Sequence, residues 1–289
     1  MSVTTSTSQH VSMKIRKSAR AGKKMPSSQY MKARATLSAT QRLLLVVPPV
    51  VLALLLLLSW YVSTTYGHVS NLILPAPADV FAALSDGLSS GWLLSNAWIT
   101  IQESLLGFLL AVVVALPLGY GLAKSRLISA TVQPYLAAGQ AIPAIVIAPI
   151  LIIWIGYGLV PIAILCMLIV LFPMVITAQF GVRSIDSSLT DAARVEGASG
   201  WAMLAHIEFP LALPAILAGV RTGLTLSITG ALVGEFVSAG GTGLGGLLLQ
   251  AQNQINTPLL FATLVVLAAL AALYYGSSWL LMKLAAIIY

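Results

Sequence analysis

Charged residues are scarce in this chain: Lys, Arg, Asp and Glu together make up 8% of its 289 residues. Hydrophobic residues reach 58%, whereas globular domains have roughly 45–50%. This balance excludes an ordinary water-soluble domain and predicts an all-α protein built into a membrane. The net charge of +7 would favour nucleic-acid binding in a soluble protein. Here we expect it to follow from membrane topology, and we predict no nucleic-acid partner.

Several chemical motifs are also absent from the sequence. It has one cysteine, Cys166, which cannot form an internal disulfide and which we expect to be a small buried residue. No P-loop, HExxH motif, nucleophile elbow or ligand-spaced Cys/His set occurs, so we predict no catalytic residue, no metal and no cofactor. Residues 241–246 match G-x-G-x-x-G, but they follow a predicted membrane span instead of a strand. We therefore expect close backbone packing in an outer re-entrant turn, and no dinucleotide site.

Long apolar runs dominate the rest of the chain. Runs of about 20 residues can cross the hydrocarbon core as helices. Six such runs occur, at residues 43–62, 100–123, 132–155, 159–180, 213–236 and 258–282. Prolines in these runs predict a packed bundle with local kinks. The predicted organisation is a basic tail over residues 1–42 and a transmembrane domain of six helices over residues 43–289.

The basic residues set the predicted orientation. Nine of the 15 Lys and Arg residues precede the first span, and the others also fall on or near the same side if the N-terminus is inside. The positive-inside rule therefore predicts a multi-pass membrane protein with both termini cytoplasmic. We expect the membrane to be the plasma (bacterial inner) membrane. The tail contains no acidic residue, and we expect it to be disordered and to favour the anionic inner leaflet. A transit peptide of similar composition is the alternative.

The outward segment 72–95 predicts one short helix. Pro77 suits a first helical turn and Asp79 is favourable near a helix N-terminus. Such a helix either covers the bundle or receives an extracytoplasmic partner, and the sequence leaves both roles open.

A polar segment between the fourth and fifth predicted spans is the most informative part of the chain. It contains the charged or His residues Asp191, Arg194, Glu196, His206 and Glu208. The spacing of Ser188 and Asp191 is that of a capping box, two alanines favour helix, and Gly197 is a natural helix stop. We predict a helix over about residues 188–196, after which Pro210 and Pro214 redirect the chain into the fifth span. A passive surface loop is the alternative.

At these residues the chain resembles the permease subunits of ATP-binding-cassette importers. Asp191-Ala192-Ala193, Gly197 and Ile207-x-Phe209-Pro210 are similar to the family's EAA loop, E-A-A-x3-G-x9-I-x-L-P, with Asp for Glu and Phe for Leu. The resemblance covers about residues 70–275, and it is specific to the branch that imports sulfonates, taurine, nitrate and thiamine-type pyrimidine precursors.

The resemblance implies a type I importer and three kinds of partner. Two ATPase subunits would bind the EAA helix, an extracytoplasmic binding protein would deliver the substrate, and a second permease copy would complete a homodimer in membrane lipid. The chain itself would be non-catalytic. The predicted ATPase-coupling residues are Asp191, Ala192, Ala193, Glu196 and Gly197.

Polar residues inside the spans are the candidates for a substrate path, because their burial in lipid is costly. The candidates are Gln140, Thr222, Thr225, Thr229 and Glu235. The alternative for the threonines and for Gln140 is interhelical packing or hydrogen bonding to the preceding turn. No cluster of Lys or Arg lines the outer half, which favours a pyrimidine-like or other heterocycle over a sulfonate, taurine or nitrate. A secondary transporter working without an ATPase is the alternative function.

Overall fold

The computed structural model describes residues 39–67, 69–238 and 242–288, all of which form helices and connecting loops without a strand. Residues 1–38 of the predicted tail, His68 and Gly241 of the glycine motif lie outside the described residues. The chain divides into two compact units, Met1–Ser59 and Trp60–Tyr289. Helix α1 (Ala39–Thr65) begins in the first unit and ends in the second.

The second unit contains the remaining helices, which alternate between long spans and short connecting helices. They are α2 (Pro77–Ser89), α3 (Trp92–Lys124), α4 (Arg126–Ala141), α5 (Ala144–Ile155), α6 (Leu159–Arg183), α7 (Ser187–Val195), α8 (Gly200–Met203), a π-helical turn (Leu204–Glu208), α9 (Phe209–Val237), α10 (Gly243–Asn253) and α11 (Thr257–Ile288).

Five helical segments are long and apolar enough to cross a membrane, and a bent pair completes six if its two halves form one span. The all-α membrane fold is therefore confirmed. Two of these segments are the whole of α3 and α6, and two others lie within α1 and α11. The fifth runs without interruption from Gly200 to Val237. The helix α3 begins at Trp92, eight residues before the predicted boundary of the second span at residue 100.

The predicted third span, residues 132–155, is wrong as one continuous helix. The helices α4 and α5 are bent by 96° relative to each other. Pro143 causes the break, because it disfavours helical dihedrals in the residue before it and lacks an N–H donor. Ile142 accordingly has an extended conformation, with φ −81° and ψ 119°.

The core lies where α6 packs between α3 and α9. Cys166 of α6 is fully buried at this crossing, as predicted. Gly107 of α3 and Gly230 of α9 both face it, and a Cβ built on Gly230 would lie 2.8 Å from the Cys166 Cα. Small residues thus let three helix backbones approach closely, which is the usual means of helix association in lipid.

The prolines at the start of the fifth span do not redirect the chain, contrary to the prediction. The turn occurs earlier, near Gly197, and the segment from Gly200 to Val237 is helical throughout. The π-helical turn before α9 explains how Pro210 is accommodated. Its wider hydrogen-bonding pattern, with the Phe209 N–H bonded to the Leu204 carbonyl, avoids the clash that a proline causes in an α-helix.

Candidate functional site

The helix α7 is a short polar helix held between two spans. Its N-terminal cap is Asp186, whose Oδ1 accepts the Ser188 N–H at 2.9 Å. The capping box predicted from Ser188 and Asp191 is therefore wrong, because the helix begins one residue before Ser188. The Asp186 carboxyl is exposed, and hydrogen bonds from the Ser188 backbone N–H and the Ser188 side chain lower its pKa.

The end of α7 is defined by Gly197, which has a φ of +96°. The Gly197 N–H bonds to the Arg194 carbonyl at 3.0 Å, and the Ala198 N–H bonds to the Ala193 carbonyl at 2.9 Å. These two bonds form a Schellman motif, which requires the left-handed conformation that glycine adopts at no steric cost. The positive φ expected at this helix stop is thus present.

The surface of α7 combines polar groups with exposed apolar side chains. Val195 is 89% exposed, Trp201 just after the helix is 77% exposed, and Leu189 is also exposed. Ala192 is exposed and Ala193 is half-buried. Leu189 and Val195 belong to α7 and Trp201 belongs to α8, and exposed large apolar side chains of this kind occur at protein-binding surfaces.

The remaining charged residues of α7 are on its exposed surface. Asp191 and Arg194 form an ion pair at 2.9 Å with both side chains more than 60% exposed. Such pairs contribute little to stability. Glu196 is the C-terminal cap residue and is exposed. The structure therefore brings all five predicted coupling residues together on one solvent-facing helix and its stop.

A partly buried ion pair connects this segment to α3, and sequence reasoning missed it. Glu208, at the end of the π-helical turn, is 1% exposed and forms a salt bridge with Lys124. The Tyr120 hydroxyl also donates a hydrogen bond to the Glu208 carboxylate at 2.9 Å. An acidic residue beside an apolar span was the available signal, but its partners are more than 80 residues away in sequence.

A cleft of about 410 Å³ opens at the break between α4 and α5. Its walls include Gln140 and Pro143 at the break, Phe172 of α6 and Leu226 of α9. No Lys, Arg, Asp or Glu is among its lining residues. The cleft therefore presents one amide side chain and one aromatic ring in otherwise apolar surroundings.

The three candidate threonines lie on exposed positions of α9 close to this cleft. Thr222 and Thr229 are four residues before and three residues after Leu226, so they share its face. Thr222 and Thr225 also donate hydrogen bonds to carbonyls one turn earlier, at 3.1 and 3.2 Å. Leu226 of this face lines the cleft with Gln140, but none of the three threonines is among the lining residues. Two of the threonines show the local bonding that the alternative interpretation predicted.

Glu235 lies apart from these residues, in a buried polar cluster at the other end of α9. Its Oε1 accepts the Thr100 hydroxyl at 2.6 Å and its Oε2 accepts the Gly245 N–H at 2.5 Å. The Leu244 N–H in turn bonds to the Thr100 Oγ1 at 2.9 Å. The role of Glu235 in a substrate path stays a prediction, because the carboxylate faces the first turn of α10 instead of the cleft.

The glycines of α10 make this cluster possible. A Cβ on Gly245 would lie 2.7 Å from the Glu235 Oε2, and Gly243 has a φ of +79°. The close backbone packing expected for the 241–246 motif is therefore present at its described glycines, and it serves a carboxylate instead of a nucleotide.

A larger cleft, of about 560 Å³, lies between α3, α6 and the segment that begins with α8. Its lining is almost wholly apolar, with Trp201 and Tyr120 at its edge. None of the predicted site residues lines it.

A bent pair of apolar helices, a short capped polar helix between two long apolar helices and close packing of α3, α6 and α9 are features expected of a membrane transport subunit. A family model described as "Binding-protein-dependent transport system inner membrane component" matches residues 107–284, and the chain belongs to this family. Members are non-catalytic membrane subunits of ATP-binding-cassette importers, and a separate ATPase subunit hydrolyses ATP. Importers of this family work with an ATPase and a substrate-binding protein.

Individual relatives agree with this assignment. The chain is 42% identical to the riboflavin transport system permease protein RibX of Chloroflexus aurantiacus over 225 residues, which are 78% of this chain and 84% of the relative. It is 28% identical to a putative aliphatic sulfonates transport permease, SsuC, of Bacillus subtilis, covering 74% of this chain and 77% of the relative.

A solved structure, the inward-facing MetNI methionine ABC transporter, shares the fold with a TM-score of 0.59 and 21% identity. The match covers 67% of this chain and 96% of the solved chain. None of these similarities supports the secondary-transporter alternative.

Proposed function

We propose that this chain is the permease of an importer for a small neutral heterocycle, and that α7 is the helix through which its ATPase drives transport. One observation supports the coupling role above all others. The helix α7 is exposed, capped at both ends and tied to two spans, and its apolar side chains Leu189 and Val195 are exposed among the described residues. A groove on a soluble ATPase subunit would cover them.

The buried Glu208 pair gives this docking helix a rigid connection to the bundle. Movement of α7 passes through α8 and the π-helical turn to Glu208, which is bonded to Tyr120 and Lys124 of α3. A half-exposed lysine and a buried carboxylate in contact resist separation, because the carboxylate would be left without a partner. Displacement of α7 by an ATPase therefore moves α3 and α9 together.

An arginine placed on the exposed alanine tests the docking role. Ala192→Arg adds a long charged side chain where the ATPase groove would fit, and overpacking of a fitted contact costs roughly 1–3 kcal/mol. We expect normal abundance of the permease in the membrane, with ATPase binding weakened about tenfold or more and uptake lost. Ala193→Arg should also abolish uptake, but Ala193 is half-buried, so its effect on folding must be measured too.

The matched control is Ser187→Arg, which adds the same side chain on a different side of the same helix, at another exposed position. It should retain most of the uptake. Normal uptake by Ala192→Arg at normal abundance would contradict the docking role of this surface.

The substrate class is inferred from the cleft at the α4–α5 break. Its lining has no charged residue, so it offers no counter-charge to a sulfonate or nitrate. The Gln140 amide can both donate and accept hydrogen bonds, which suits the amide and imide edges of a pyrimidine-type ring. The Phe172 ring offers a face for stacking. The similarity to a permease named for riboflavin transport supports a planar heterocycle as well.

Riboflavin is the first compound to test, with a pyrimidine precursor of thiamine as the second and taurine as the comparison. Uptake of each labelled compound should be measured in cells that express the permease with its ATPase and binding protein. Gln140→Leu should lower uptake of the heterocycle about tenfold, the loss expected when about 1.4 kcal/mol of hydrogen bonding is removed. Gln133→Leu, on the same helix and exposed, is the matched control. Uptake of taurine alone would refute the heterocycle assignment.

The proposed orientation places both termini and α7 in the cytoplasm. Cysteines introduced at Ser70 and Gln252 should react with an impermeant reagent added outside the cell. Cysteines at Ser125 and Ser187 should react only after the membrane is made permeable. Outside labelling at position 187 would overturn the orientation and the coupling role together.

The proposed assembly is a homodimer of this permease with two ATPase subunits. The cleft and the threonine face of α9 are open at the surface of the single chain, so a second copy could enclose them as one path. Native mass measurement of the purified complex should find two copies of this chain. One copy, or a second kind of permease chain, would contradict the homodimer.

A further inference from the structure

Two glutamates lie buried side by side within the spans. Glu103 of α3 is 2% exposed and Glu235 of α9 is 1% exposed. The Thr100 hydroxyl, one helical turn before Glu103 on α3, donates to the Glu235 Oε1 at 2.6 Å, so the two carboxyl groups lie next to each other. One oxygen of Glu103, Oε2, is fully buried and has no hydrogen-bond partner among the described residues. Neither the coupling helix nor the cleft at the α4–α5 break includes this pair.

The pair has no positive partner. In the part of the chain that the structure describes, the salt bridges within 4.0 Å are Lys124–Glu208 and Arg194–Asp191, so neither Glu103 nor Glu235 contacts a basic side chain. The other titratable groups facing the cluster are neutral ones: the Cys166 thiol of α6, and the Tyr274 hydroxyl of α11, which bonds to Ser104 at 2.8 Å. Two negative charges in contact at low dielectric repel strongly, so the pair cannot be fully ionised.

The hydrogen-bond donors around the pair indicate that Glu235 is its ionised member. It receives the Thr100 hydroxyl and the Gly245 N–H, one on each oxygen. The Gly245 N–H belongs to the first turn of α10, where unpaired N–H groups and the helix dipole favour an anion. The Glu103 Oε2 has no such donor among the described residues, and the Glu103 carboxyl lies next to the Glu235 carboxylate.

We propose that Glu103 and Glu235 form a binding site for a single proton, which resides on Glu103 and is donated in a hydrogen bond to the Glu235 carboxylate. The ligand of this site is the proton itself. Because Glu235 also binds the first turn of α10, the shared proton ties α3, α9 and α10 into one unit. The site acts as a lock on the helices at the end of α9 remote from α7.

The charge assignment predicts unequal effects of two similar substitutions. Glu103→Gln keeps a neutral side chain that can still donate to Glu235, so it should retain wild-type abundance and uptake within about twofold. Glu235→Gln replaces the acceptor of two hydrogen bonds by an amide that can accept with one atom only. It should lower abundance of the folded permease about fivefold to tenfold.

Infrared spectroscopy of the purified full-length permease detects the proton directly. A protonated carboxylic acid has a carbonyl stretching band distinct from that of a carboxylate. Wild type should show this band at neutral pH, and Glu103→Gln should lose it. Glu235→Gln should keep it, because Glu103 stays protonated without its charged neighbour.

The comparison of wild type with Glu103→Gln decides the proposal even if Glu235→Gln accumulates too poorly to purify. A wild-type spectrum without the band would overturn the proposal. So would loss of the band in Glu235→Gln with its retention in Glu103→Gln, or a defect in Glu103→Gln as large as that in Glu235→Gln.

Discussion

The two ends of α9 each hold a buried carboxylate, and they satisfy it by different means. Glu208, just before the helix, and Glu235, near its other end, are both 1% exposed, and both bond to α3. Glu208 has a lysine partner, whereas Glu235 has a hydroxyl and a backbone N–H. The lysine reaches solvent, since its side chain is 38% exposed.

The difference follows from the proposed orientation. Basic residues are retained on the cytoplasmic side of a membrane protein, so a carboxylate at the inner end can be paired with one. A carboxylate at the outer end has to rely on neutral donors, and here the first turn of a short helix supplies one of them. The contact of Glu208 with Lys124 and Tyr120, here called the inner link, therefore depends on charge. The contact of Glu235 with Thr100 and Gly245, here called the outer link, depends on backbone position.

The largest effect should come from breaking the inner link. Glu208→Ala leaves Lys124 without its partner and removes the acceptor for Tyr120. Removal of one member of a fully buried pair costs about 3–5 kcal/mol. Because Lys124 is partly exposed, we expect about 2–3 kcal/mol, measured as lower resistance of the purified permease to denaturation.

The control for this change is Asp191→Ala, which breaks the exposed pair with Arg194 and should cost about 0.5 kcal/mol or less. Equal effects of the two substitutions would mean that the inner link does not stabilise the bundle.

A smaller loss should come from a single methyl group at the outer link. In Gly245→Ala the new Cβ would lie 2.7 Å from the Glu235 Oε2 and 3.1 Å from the Leu232 carbonyl oxygen. The first turn of α10 must therefore move away from the carboxylate, at about 1–3 kcal/mol. The same denaturation measurement applies.

Gly276→Ala is the matched control, because its Cβ would meet no atom within 4 Å. It should be neutral or stabilising by up to about 1 kcal/mol, since alanine is the better helix former. A tolerated Gly245→Ala would show that the outer link does not need the close approach.

The third prediction separates the effect of backbone conformation from that of steric crowding at a glycine. Gly197 has open space around its Cα but a φ of +96°. Gly197→Val forces a β-branched residue into a left-handed conformation, at about 1–2 kcal/mol of local strain. We expect normal abundance and reduced stimulation of the ATPase by the permease. Gly197→Asn, which tolerates this conformation better, should recover most of the stimulation; equal losses in both variants would refute the conformational explanation.

The smallest effect should come from Asp186→Asn. An amide oxygen can still accept the Ser188 N–H, so ATPase stimulation at neutral pH should stay within about twofold of wild type. Because the cap lowers the pKa of Asp186, its stabilising contribution is present above the ordinary Asp pKa of about 4 and is lost as pH falls through the lower folded value.

Hydrogen exchange of residues 187–195 measures this directly. Protection should fall in acid for the wild type and change less for Asp186→Asn. The same acid dependence in both proteins would show that the Asp186 carboxyl is not the group responsible.

Some local signals in the sequence predicted local structure correctly, whereas the capping box at Ser188 and the turn at Pro210 and Pro214 were wrong. Pro77 and Asp79 indicated the helix that is now α2. The alanine pair and Gly197 indicated α7 and its stop. Each of these signals acts within a few residues, so no knowledge of the packing was needed.

Long-range contacts were beyond the reach of the sequence. The bond between Thr100 and Glu235 joins residues 135 positions apart, and that between Tyr120 and Glu208 joins residues 88 apart. Glu235 was singled out as an ionisable residue within a predicted span, and Glu103 carried the same signal but was missed, since such a residue indicates a buried polar partner without identifying it. The size of the break at Pro143 also depends on packing, because a membrane proline can produce anything from a slight kink to a full bend.

The break between α4 and α5 has a consequence for how the protein is made. At 1.5 Å per residue, the 16 residues of α4 and the 12 of α5 measure about 24 and 18 Å, both short of the roughly 30 Å hydrocarbon core. Neither half is therefore long enough to span the bilayer by itself while the chain is being synthesised. The 25-residue α6 follows after a three-residue connection and packs against α5. We therefore expect the two halves and α6 to enter the membrane as one cotranslational unit, with the broken segment reaching its final position only when α6 has been synthesised.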